Sequence, residues 1–108
     1  MKASDPIEWL PPWIPVERQA DEFVDELERE LASGHVLSGK NADAIARRID
    51  KDEVLFVIDD APKQYAVVHL TWSGSKEHDP KWPFTVIFSS LEQWVDECMK
   101  RDHLEYNR

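Results

Sequence analysis

Three short apolar runs dominate the second half of this chain: Glu53–Ile58 (EVLFVI), Gln64–Trp72 (QYAVVHLTW) and Phe84–Phe88 (FTVIF). Each is rich in β-branched and aromatic residues, the composition that suits a pleated, half-buried surface. Turn-forming residues separate them. Asp50-Lys51-Asp52 precedes the first run, Asp59-Asp60-Ala61-Pro62 parts the first from the second, and a polar loop from Gly74 to Pro83 leads into the third. Such runs, joined by short turns, predict an antiparallel meander. The stretch 44–49 is ambiguous. Ala42, Ile45, Ala46 and Ile49 suit a helical face, and the alternation of Ile45, Arg47 and Ile49 suits a strand equally well. The turn at Asp50-Lys51-Asp52 favours a hairpin, which brings the sheet to about four strands.

Helical patterns flank this sheet. From Val16 to Ser33 the apolar residues Val16, Ala20, Phe23, Val24, Leu27 and Leu31 recur at three-and-four spacing and form one stripe. Glu17, Asp21, Glu22, Asp25, Glu26, Glu28 and Glu30 are expected on the opposite, solvated face, and Ser33-Gly34 is expected to end the helix. At the other end Ser89 or Ser90 can cap a helix, with Glu92 or Gln93 as the capping-box partner. Its stripe is Leu91, Trp94, Val95 and Cys98, with Met99 alongside. The expected fold is therefore α+β: an antiparallel meander with an N-terminal and a C-terminal helix packed on one face.

Residues 1–15 carry Pro6, Pro11, Pro12 and Pro15, which forbid a helix and favour an extended arm. Pro12-Trp13-Ile14-Pro15 fits the loose PxxP pattern, but Trp9 and Trp13 suggest an arm that docks on its own domain. Residues 16–103 make one domain, and 104–108 a polar tail.

The formal charge of −9 in 108 residues disfavours nucleic acid and anionic membranes and favours a basic protein partner. Open sheet edges would also allow a homo-oligomer. One cysteine excludes an internal disulfide, no apolar stretch approaches membrane-spanning length, and the first residues lack a signal-peptide pattern, so a cytoplasmic location is expected.

No catalytic, metal or cofactor motif stands out. Lys76-Glu77-His78-Asp79 lacks the ligand spacing of a zinc site, Gly39-Lys40 lacks the rest of a phosphate loop, and Cys98 lies on a buried stripe. The candidate surface residues are Arg47, Arg48, His69, Thr71, Trp72 and Trp82. Arg47 and Arg48, with Asp50, Asp52 and Glu53 nearby, can form either an anion-binding edge or internal salt bridges across the hairpin. Strand alternation sends the two arginines to opposite faces, so in the first case one of them should share a face with His69 and Thr71 and suit a carboxylate or phosphate. Trp82, between Lys81 and Pro83, is the candidate anchor for a partner.

The strings IARRID, DEVLF, YAVVHLTWSG, Glu77 ahead of KWP, and SLEQW, with Gly34-His35 and Gly39-Lys40, resemble a family of small uncharacterised bacterial proteins. The resemblance covers roughly 34–103. It implies a compact bacterial, cytosolic domain and brings no activity, cofactor or catalytic residue. Two functions stay open: a non-enzymatic binding or regulatory domain working by protein–protein contact, an immunity-like role included, or a small-molecule or anion site, even an unrecognised enzyme, around His69.

Overall fold

A computed structural model describes residues 7–108. The expected Pro/Trp arm falls partly outside them. Its described end is a short strand β1 (Trp13–Pro15), followed by helix α1 (Ala20–Glu30). Four strands come next: β2 (Ala42–Arg48), β3 (Glu53–Ile58), β4 (Gln64–His69) and β5 (Phe84–Phe88). The chain ends in helix α2 (Leu91–Trp94), a π-helical turn (Val95–Met99) and helix α3 (Lys100–Tyr106). The five strands pair antiparallel in the order β1-β2-β3-β4-β5. The meander therefore stands, and 44–49 is largely strand.

The helices do not share a face. Phe23, Leu27 and Leu31 pack with Val54, Phe56, Ile58, Ala66, Val68 and Leu70 on one side of the sheet. Trp94, Cys98 and Met99 pack with Leu55, Val67, Phe88, Ala46 and Trp13 on the other. The reason lies in β3 and β4, whose sequences are nearly continuous apolar runs. A strand that is apolar on both faces must be covered on both, and one helix can cover only one. A β-bulge between Ala44 and Ala46 sets β2 into this arrangement. The extra residue lets Ala44 join one core layer and Ala46 the other.

Three further details differ from the expected elements. The described end of the arm is extended and docks on its own domain, but it does so by pairing with β2, through Trp13↔Arg48 and Ile14↔Arg47, as a fifth strand. Proline is tolerated there because β1 is an edge. Helix α1 ends at Glu30, before Ser33-Gly34, because Leu31 turns extended (ψ 114) and Lys76 Nζ and Glu77 N take up the carbonyls of Leu31 and Glu30. The last helix runs on through residues expected as a polar tail, with Asp102 buried against the sheet. Ser90 does cap it: its Oγ accepts from Gln93 N at 3.0 Å, and Gln93 Oε1 accepts from Ser89 N at 2.7 Å.

Candidate functional site

The structure brings the six candidate residues together only in part. Arg48 is buried where β2 meets the C-terminal helix. Its Nε and Nη2 bind both oxygens of Asp50 at 2.9 Å, while Nη1 lies 3.4 Å from Glu53 and 3.3 Å from Asp102. Asp102 also accepts from Trp13 Nε1 at 2.9 Å. One guanidinium thus ties together β1, β2, β3 and α3. With three carboxylates around it, it has no charge to spare for an anionic ligand. His69 does share this face, 3.9 Å from Glu53, but at the end of β4 and half exposed. An arginine and a histidine therefore meet only through Glu53.

Arg47 points to the other face, beside Phe23 and Trp72. Thr71 and Trp72 lie beyond the end of β4, and their N–H groups donate to Glu30 at 2.9 and 2.8 Å. Trp72 has φ 58, the left-handed region that a bulky residue adopts only under restraint, and its ring meets Phe23 edge-on. Trp82 stands apart from the α1 clamp and lies next to Phe84, the cross-strand partner of His69. It is about half exposed and packs near Phe84, ring centroids 6.5 Å apart.

Trp82 marks what the sequence analysis did not assemble. The C-terminal helix packs on Trp13, Ala46, Leu55, Val67 and Phe88 but leaves Phe84 and Val86 of β5 uncovered. There Val67, Phe84, Val86 and Phe88 floor a groove of about 620 Å³, walled by Glu97, Cys98, Arg101 and Glu105 and lined as well by the charged cluster of Arg48, Lys51, Glu53 and Asp102. Phe84 is 56% exposed and Val86 41%. These two alternate along β5 with Thr85 and Ile87, so the pleat puts them on the helix side. Among the described residues no strand pairs with the outer side of β5. The strand has no charge, no proline and no bulge, the devices that ordinarily protect an edge. A signal was present in the sequence: Phe84, Val86 and Phe88 are apolar on one face of β5, and the last helix covers only Phe88.

The groove is not arranged for bond-breaking chemistry. Burial, reinforced by Asp102, pushes the Cys98 thiol up to about 12, so it is not a nucleophile at neutral pH. Among the described residues no three His, Cys, Asp or Glu side chains are grouped to hold a metal ion. No helix among them is long and apolar enough to cross a membrane.

Fold and groove together define a two-faced α+β domain with one unprotected sheet edge. No protein-family model, no curated protein and no solved structure matches the chain.

Proposed function

We propose that this chain is a protein-binding domain that accepts an extended segment of a basic partner along β5. The observation that supports it most is the open, uncharged β5 edge with Phe84 and Val86 exposed above the groove. Backbone pairing to an open edge supplies affinity, and pockets for alternate side chains supply specificity. Trp82, half exposed beside Phe84, is a suitable anchor, since aromatic residues carry much of the energy at protein interfaces. The charge of −9 would draw a cationic partner from a distance. The full engagement of Arg48 by carboxylates weighs against an anion site near His69.

Panning a library of unstructured peptides against the protein tests this, with Phe84→Lys/Val86→Lys as the counter-selection. Enriched peptides should alternate apolar side chains, carry Lys or Arg, and shift amide resonances of residues 81–89 and 97–105. Affinity should fall at least about tenfold in the double variant and decline with salt. Enrichment of peptides that bind the double variant equally well would overturn the assignment. So would a dimer of the chain itself, seen by light scattering and abolished by the same substitutions.

A further inference from the structure

The β4–β5 loop is fastened to α1 by two buried acids. Glu26 is 3% exposed and Glu30 0%, one helical turn apart and on the same stripe as Phe23, Leu27 and Leu31. Glu30 accepts from the N–H groups of Thr71 and Trp72, and Glu26 accepts from that of Gly74 at 3.1 Å. Both carboxyl groups thus converge on one short stretch of loop, and a bond between them would need a proton, because two carboxylates offer only acceptors.

We propose that Glu26 and Glu30 form a proton-held latch: one shared proton keeps Thr71–Gly74 fastened to α1, and its loss releases that stretch of loop. Without the proton, two like charges would meet in a site closed to water, and nearby groups give limited relief. On α1 itself Arg29 reaches Glu26 only at 3.6 Å and is mostly exposed. From the loop, Lys76 is occupied by the Leu31 carbonyl, and Glu77, which accepts from Thr71 Oγ1 at 2.7 Å, adds a further negative charge. From β2, Arg47 lies beside Phe23 and Trp72. The least costly response is to lift the loop and let water reach the acids. The left-handed Trp72 would then relax as well, since Glu30 holds its N–H.

Burial, helped by the neighbouring Glu26 carboxyl, pushes Glu30 up to about 7 against the pull of the Thr71 and Trp72 amides. The latch is thus set to respond near neutrality. The loop it controls carries Trp82 and leads directly into β5. Two other ties hold the loop's far end: His35 Nε2 donates to the Pro83 carbonyl at 2.9 Å, and Pro80 lies against Gly34. Release therefore starts at residues 71–74 and leaves the entrance to β5 attached.

Amide hydrogen exchange, corrected for its intrinsic pH dependence, tests the latch. Protection of Thr71, Trp72 and Gly74 should fall about tenfold between pH 6 and pH 8 in the native chain. It should stay flat in Glu26→Gln, where Glu30 can remain ionised and accept from the new amide, and in Glu30→Gln. The two substitutions back each other up should one of them impair folding. Protection that is constant with pH in the native chain would overturn the latch, as would the same loss persisting in both variants.

Discussion

A buried glutamate and an exposed aspartate held by a buried arginine set how this fold responds to pH, with opposite signs. Glu30 stands at about 7, against an ordinary value of 4.5, so the folded chain holds a proton that the unfolded chain gives up. Its stabilising contribution is complete below about pH 4.5 and is lost as pH rises through 7. Asp50 behaves oppositely: the hydrogen bonds from Arg48 hold its carboxyl below the usual range, so its contribution is present at neutral pH and fades in acid. Thermal unfolding should therefore be most resistant near pH 5, weaken towards pH 8, and lose most of that alkaline slope in Glu30→Gln. Arg48 carries more than a pair of bonds. Arg48→Met would leave Asp50, Glu53 and Asp102 without their common counter-charge, and should cost about 3–5 kcal/mol in urea unfolding. The pairing of Arg48 with Asp50 and Glu53 was one of two readings the sequence offered, but the burial of Glu26, Glu30 and Asp102 was not foreseen, because acids on a helix are read as solvated. The spacing did carry a clue. Glu26 and Glu30 fall on the stripe of Phe23, Leu27 and Leu31, and Asp102 extends the stripe of Trp94 and Cys98.

Elements were legible where the local pattern alone decides them. The strands 53–58 and 84–88 sit where their β-branched runs and turns put them, and the Ser90 cap follows from the capping box. Ser90→Ala should cost about 1 kcal/mol, measured by urea unfolding, because Gln93 N would lose its acceptor. What local pattern cannot reveal is pairing across distance. The three-residue β1 is a strand only because β2 offers it an edge, and its tryptophan is fixed by Asp102, far along the chain. The faces of β2 were equally hidden, since the bulge at Ala44/Ala46 breaks the alternation that would reveal them. The candidate surface residues fared similarly. Arg47 and Arg48 do diverge as alternation requires, but β4 ends at His69, so Thr71 and Trp72 leave the strand's pleat for the α1 clamp.

At the level of the molecule, the two core layers depend on each other through the sheet. Trp13 is fully buried with Trp94 under it, ring centroids 5.1 Å apart and nearly perpendicular. Removing residues 1–15 would therefore strip β1, expose Trp94 and Ala46, and deprive Asp102 of a donor. That truncated chain is expected to lose its near-ultraviolet circular dichroism at room temperature, and a chain that keeps its signal would overturn this role for β1. The excess of acid acts at longer range. Association with a cationic peptide should slow by at least about tenfold between roughly 50 and 500 mM salt, with little change in dissociation rate.

The two rims of the sheet are unlike, and that difference sets a stoichiometry. One ends in β1, three residues long and finished by Pro15, too short and too poor in donors to recruit another strand. The other ends in β5, which can take one more. Strand addition therefore has a single growing end. It stops after one guest, or after two copies join back to back, and cannot propagate into a fibre.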